Sequence, residues 1–277
     1  MPRYIVRFGA MRELGAMSSR QDAIYRRGAE VVVRSPRGME IGQVLCEATE
    51  NALRQMERYA SGTIWRAVTS EDALQMSKIL GLRPPRIATC ERLIEELQLP
   101  MKLVDIEQLL GGERVIVYYV SEERIDFREL VKRLAGEFQT RVEMHQIGVR
   151  DEAKLLADYG DCGKPVCCNT HLAVMPPVSM KMAKLQKATL DPSKISGRCG
   201  RLKCCLRYEF DTYEALHEEL PPIGSSVVTS QGRCKVIGQE ILSQHLLVET
   251  EDHRRLLIEA SEVLSRIGSK QRSGQAE

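Results

Sequence analysis

The chain carries two copies of one cysteine pattern, Cys162-Gly163-x-x-x-Cys167-Cys168 and Cys199-Gly200-x-x-x-Cys204-Cys205, which hold six of its nine cysteines. The separation 199 − 162 = 37 lays all three thiols of one copy on those of the other, and a basic residue follows each glycine (Lys164, Arg201). The stretch 169–201 is poor in large apolar side chains, so a metal staple would be useful there. Soft-metal ligation, disulfides and thiol redox chemistry all use thiols clustered in this way. The start, MPRYIVRFGAMRELG, has no long apolar run after its basic residues, and no stretch of about 18 uninterrupted apolar residues occurs. The expectation is therefore a cytoplasmic protein without a transmembrane segment. In that reducing space metal or chemistry is favoured over structural disulfides.

Thiolates are soft ligands for zinc, copper(I) or iron–sulfur clusters. A glycine directly after the first cysteine lets the backbone turn tightly and brings amides toward the sulfur or metal. Vicinal cysteines project differently along most backbones. The economical arrangement is then a four-thiolate site of Cys162, Cys167, Cys199 and Cys204. Cys168 and Cys205 are left as buried thiols, alternative ligands, or ligands to a cluster shared with a partner. The C-x₄-C spacing lies at the edge of what zinc prefers. It also occurs in plant-type iron–sulfur proteins, although the C-x₂-C half that follows there is absent here. Spacing supports metal strongly and iron–sulfur over zinc only slightly; a metal that merely staples the loops is the plainer version. His171 is a candidate ligand or general base, more often found as a neighbour of such a site. Cys46, Cys90 and Cys234 sit in apolar or mixed surroundings and read as inert.

A basic belt overlies the thiols. Between Val178 and Tyr208, the cations Lys181, Lys184, Lys187, Lys194, Arg198, Arg201, Lys203 and Arg207 face one acid, Asp191. Ser179 is placed to cap a short helix carrying the first three lysines near one face. The belt reads either as a partner or RNA phosphate surface, or as a solvated face that offsets a thiolate-bound site. The protein as a whole has a formal net charge of only +2 and 5% aromatic residues, so neither a global field nor a base-stacking platform is indicated. No phosphate-binding loop, dinucleotide fingerprint, zinc-protease motif or paired-carboxylate site is present, and no catalytic set is expected.

The hydrophobic pattern predicts an α+β chain, with small β modules at both ends flanking a central α/β sandwich-like layer and the cysteine-rich segment. The expected divisions are a β module over 1–55, a central α+β domain over 56–155, the cysteine-rich basic segment over 156–215, an SH3-like β module over 216–265 and a disordered tail over 266–277. In the centre a helix over 91–97 stops before Pro100. Strands 102–106 and 115–120 are joined by Gly111-Gly112. A helix capped by Asp126 carries Phe127, Leu130, Val131, Leu134 and Phe138, and a strand covers 140–147. Arg83-Pro84-Pro85 reads as a loop dividing two helices. Gly28 and Gly224 open similar runs of Val-Val strand, turn, second strand and Gly-Gln. That similarity is either a repeated hairpin or the shared turn grammar of small barrels.

The run 126–209 resembles the bacterial YaaT family, also called RicT. The residues that carry the likeness are DFRELVKRLA from Asp126, QIGVRDEAK from Gln146, CGKPVCC from Cys162, PVSMKMAK from Pro177 and LDPSKISGRCGRLKCCLRYE from Leu190, with MKLVDIE from Met101 upstream. The resemblance implies a non-enzymatic cytoplasmic regulator that binds [4Fe-4S] clusters through these cysteines. It also implies a complex with two small helical partners of the RicA/RicF type and action with the membrane-anchored endoribonuclease RNase Y in mRNA maturation. Influence on sporulation, competence and biofilm formation follows from the same resemblance. Its domain is shared with a yeast polymerase-suppressor protein. Where the family has GIGPCG, this chain has Asp158-Tyr159-Gly160-Asp161-Cys162-Gly163, and the 76–85 region differs too.

Overall fold

Strands of alternating in-and-out residues open the computed structural model, which describes residues 1–20, 22–56, 59–156, 159–172 and 174–267. Strands β1 (Arg3–Phe8), β2 (Glu13–Ser19), β3 (Glu30–Arg34), β4 (Met39–Glu47) and β5 (Ala60–Ala67) close into a barrel in the order β1-β2-β5-β3-β4. Tyr4, Val6 and Phe8 alternate along β1 and meet Met17, Val31, Val33, Val44 and Ile64 inside. A short helix, α1 (Glu50–Arg54), precedes β5. β5 lies in residues that the sequence assigned to the next segment, and it closes the barrel by pairing parallel to β2 and antiparallel to β3. Glycine is required at Gly62, because a Cβ there would lie 2.3 Å from the Arg34 carbonyl oxygen.

The central layer follows as α2 (Ser70–Glu96), β6 (Lys102–Gln108), β7 (Arg114–Val120), α3 (Arg128–Phe138) and β8 (Arg141–Gln146), with the sheet ordered β6-β7-β8. β7, RVIVYYV, is apolar or aromatic from its second residue on because both its faces are covered. Val115 and Val117 pack with Cys90, Leu93, Ile94, Leu130 and Leu134 of the two helices. Ile116 and Tyr118 face the other way, toward Leu109, Ile147, Ala10 and Met11. Phe127 rather than Asp126 occupies the N-cap position of α3; Asp126 instead accepts a hydrogen bond from the Arg128 amide at 3.1 Å.

The expected loop at Pro84-Pro85 is corrected: α2 runs unbroken through both prolines. The helix is pinned on either side of the weak point. Thr69 and Asp72 form a capping box at its start, Arg83 donates to Asp105 at 2.7 Å, Arg86 donates to Gln108, and Cys90, Leu93 and Ile94 are buried. Both prolines face solvent.

The first unit ends with α4 (Val149–Leu155) and α5 (Cys167–Thr170). By contacts it comprises Met1–Met175 with Gly197–Arg201, and a second unit comprises Pro176–Ser196 with Leu202–Glu277. The second unit holds α6 (Met180–Leu185), α7 (Pro192–Ile195), α8 (Cys204–Tyr208) and α9 (Phe210–Glu219). Strands β9 (Ser226–Thr229), β10 (Gly232–Glu240), β11 (His245–Thr250), β12 (Arg255–Glu259) and β13 (Ser265–Ile267) follow. β9 to β12 form a meander and β13 returns to pair with β9, giving the order β12-β11-β10-β9-β13. Its core is Leu220, Val227, Val236, Leu246, Val248 and Ile258. Of the disordered tail expected over 266–277, Arg266 and Ile267 instead belong to β13, and 268–277 lies outside the described residues.

The two hairpins anticipated at Gly28 and Gly224 share their opening. Both glycines have positive φ (+86° and +90°), and each amide donates at 2.7 Å across the hairpin, to Val44 and Val236. The two sheets they enter have different strand orders. The likeness is one of turn grammar within unlike sheets.

Candidate functional site

The two cysteine patterns fold as the same turn, residue for residue. In the first, Tyr159 bridges Pro165, the Gly160 amide donates to the Lys164 carbonyl at 2.8 Å, and the Gly163 amide donates to the Gly160 carbonyl at 3.0 Å. In the second, Ser196 bridges Leu202, the Gly197 amide donates to the Arg201 carbonyl at 2.8 Å, and the Gly200 amide donates to the Gly197 carbonyl at 2.9 Å. Gly163 and Gly200 have φ of +74° and +73°, the left-handed conformation that glycine adopts without cost. Each turn then starts a helix on its vicinal pair, α5 at Cys167 and α8 at Cys204. Successive side chains on a helix point about 100° apart, so Cys168 and Cys205 diverge from Cys167 and Cys204. The offset seen in the sequence is thus an offset in hydrogen bonding and backbone conformation.

Cys162 is exposed and the other five thiols of the patterns are half-buried. Burial, with the neighbouring Cys204 as a further cause, holds the Cys205 thiol above its ordinary pKa. Cys162, Cys167, Cys168 and Cys199 belong to the first unit, and Cys204 and Cys205 to the second. Among the described residues no three His, Cys, Asp or Glu side chains are gathered into a ready-made cation site. The donor chemistry fits a thiolate-bound metal group; the side-chain positions do not preassemble one. His171 is exposed and its Nδ1 lies 3.0 Å from Thr170 Oγ1. Cys90 and Cys234 are buried in the cores and Cys46 is at the surface.

The belt is divided by the fold. Arg198 and Arg201 belong to the first unit; Lys181, Lys184, Lys187, Lys194, Lys203 and Arg207 belong to the second. Ser179 does stand at the N-cap of α6, though its side chain makes no capping bond. Lys181 and Lys184 are exposed on that helix. Lys187 lies beyond it, and its ammonium donates to the Gln239 carbonyl. Arg207 pairs with Asp211 at 2.7 Å.

Two features gave no linear signal. Inside the first unit, Arg37 is shared among Glu13, Glu40 and Glu107, and Tyr118 donates its hydroxyl to Glu107 at 2.6 Å. Burial pushes Glu40 up to about 7, against the opposing pull of Arg37 and Ser35. For Arg37 burial works against the charge, but Glu107 foremost among its neighbours outweighs it and raises the guanidinium further. One guanidinium serves three carboxylates, which is why Glu40 stays poorly compensated. The second feature is a basic cavity that Cys168 helps to line, drawn from six separate stretches of chain.

No helix among the described residues is long and apolar enough to cross a membrane. Residues 62–147 match the PSP1 C-terminal conserved region, and residues 177–220 match the PSP1-like protein, third domain. The first match covers the closing strand of the barrel and the central layer; the second covers α6 to α9 with the second cysteine turn. Stage 0 sporulation protein YaaT of Bacillus subtilis (strain 168) is 42% identical over 231 residues, 82% of each chain. An uncharacterised protein of Schizosaccharomyces pombe, PB7E8.02, is 26% identical over 141 residues, 41% of this chain and 19% of its own. No solved structure matches. With its fold, duplicated cysteine turns and four-fifths coverage by that bacterial relative, this chain belongs to the YaaT family of PSP1-domain proteins.

Proposed function

We propose that this protein is a non-enzymatic regulatory subunit whose duplicated cysteine turns bind an iron–sulfur cluster, [4Fe-4S] in kind. The observation that carries the reading is the duplication itself: two turns alike in backbone bonds, glycine conformation and thiol placement. Ligands come from Cys162, Cys167, Cys168, Cys199, Cys204 and Cys205. Because the described side chains are not preassembled, loading the group has to reorient them. When bound, such a cluster supplies a redox- and oxygen-sensitive fastening between otherwise weakly packed turns.

The relative's name ties it to sporulation, and we assign this chain the same regulatory setting. The family resemblance supports action in the cytoplasm with RicA/RicF-type helical partners and RNase Y in mRNA processing, and links to competence and biofilm formation. Lys181, Lys184, Lys194 and the other belt cations provide the partner or RNA surface. Anaerobic purification with iron, sulfide and zinc determinations tests the cofactor. Iron and acid-labile sulfide together are the expected result. Zinc without sulfide would replace the cluster by a structural metal in a nucleic-acid adaptor. A metal-free, fully folded protein with one rapidly alkylated vicinal thiol would overturn the reading in favour of thiol redox chemistry.

A further inference from the structure

The basic cavity in the first unit has a volume of about 750 Å³, which suits a small ligand rather than a single ion. Four cations line it: Arg7 on β1, Arg12 in the turn to β2, Arg27 just before β3 and Lys154 in the last turn of α4. Its lining carboxylate, Glu13, is already paired with Arg37 at 3.2 Å. None of the four cations has an ion pair with a carboxylate among the described residues. Arg7 donates to Gln43 at 2.8 Å and Arg12 to the Asn169 carbonyl at 2.9 Å, neutral partners that orient the guanidinium groups without cancelling their charge.

Two further observations bear on the chemistry of the ligand. Burial, and after it the nearby Arg12 guanidinium, lowers the pKa of Arg7, so two like charges are held close together in a partly dry place. Asn169 also lines the cavity and is 5% exposed, and its Oδ1, an acceptor with no hydrogen-bond partner, calls for a hydroxyl or amino donor on the organic part of the ligand. Apolar groups, among them Leu14, Leu45 and Met56, form the rest of the wall beside the Tyr59 ring. An open, extended groove is what a nucleic-acid backbone needs. A concave pocket whose lining mixes cations with apolar groups fits a compact ligand.

We propose that this cavity binds a free small molecule bearing a diphosphate, with Arg7, Arg12, Arg27 and Lys154 on the phosphoryl oxygens and the apolar wall against its organic part. Cys168 of the thiol set also lines the cavity, but the four cations are no part of that set, so binding is read on the metal-free and on the iron-loaded protein alike.

Inorganic pyrophosphate and ADP are the probes, titrated calorimetrically into the full-length protein and followed in parallel by thermal shift. Both probes are expected to bind saturably and raise the melting temperature, ADP more tightly because it also uses the apolar wall. The double variant Arg27→Gln/Lys154→Gln should weaken pyrophosphate at least about tenfold while melting like wild type without ligand. The single variant Arg27→Gln, at an exposed residue, serves if the double variant melts early. Lys181→Gln/Lys184→Gln should leave pyrophosphate affinity unchanged. No saturable binding by the wild type, equal binding by the Arg27 and Lys154 variants, or sensitivity to the Lys181 and Lys184 changes instead would each overturn the assignment. A single-stranded RNA dodecamer that binds through these cations while both small probes fail would overturn the small-molecule claim.

Discussion

Glu40 shows how a single residue couples the fold to pH. It is 3% exposed, and burial lifts it to about 7 from an ordinary 4.5. A raised folded-state value means the folded protein binds more protons than the unfolded chain between those limits. The stability it contributes is therefore whole below about 4.5 and is lost as pH rises through 7. Arg37, Ser35, Glu107 and Glu13 all face it, and none supplies a second positive charge beside that of Arg37. Glu40→Gln, which imitates the protonated acid, should match wild type near pH 4 and exceed it at pH 8 by up to about 3 kcal/mol. Urea unfolding at both pH values checks this, and a pH-independent difference would refute it. Gly163 and Gly200 give a second prediction at this scale. Nothing lies within 4 Å of a Cβ built on either, so alanine meets no clash and only the left-handed backbone resists it. Gly163→Ala and Gly200→Ala should each cost about 1 kcal/mol, alike within error, with asparagine less costly. Thermal unfolding of the four variants measures the match; clearly unequal alanine costs would mean the two turns are not energetically equivalent.

Among the elements, α2 separates what local rules decide from what packing decides. Pro84 and Pro85 forbid two intrahelical bonds, and by local rules alone a helix stops there. The helix continues because Arg83 and Arg86 anchor it to β6 and because Cys90, Leu93 and Ile94 enter the core just beyond. Those anchors lie on a distant strand, so the sequence did not reveal them. β7 was legible for the opposite reason: its unbroken run of apolar and aromatic residues from Val115 to Val120 is itself the record of burial on both faces. α3 was legible by its 3.6-residue spacing, with only the capping residue misplaced by one. Replacing both prolines by alanine should restore the missing bonds and raise stability by a few kcal/mol, up to about 3 per site. Melting temperature and helix content should rise together. A fall would show that the bend set by the prolines, rather than the helix, is what β6 fits.

For the whole molecule, sequence distance decided what was visible. The thiol turns repeat within a short span, so their identical folding was legible in the residue pattern alone. Arg7, Arg12, Arg27 and Lys154 come from strand, turn, loop and helix, and only the closing of the first unit brings them to one cavity. The belt was contiguous in sequence, and its residues fall in both units. The duplicated turns lead to a final, quantitative prediction about the proposed cluster. Cys162 and Cys199 hold the same place in the same turn, so a cluster served by both copies must depend equally on each. Four thiolates complete one cluster, and losing one first-position thiol leaves an open iron. Cys162→Ser and Cys199→Ser should therefore each remove essentially all iron and sulfide from anaerobically purified protein. Cys234→Ser, buried in the second unit's core, should remove none. If each turn held its own group, each first-position variant would instead keep about half the metal, the other copy being untouched. Retention of all the iron by either variant would exclude that turn from the site.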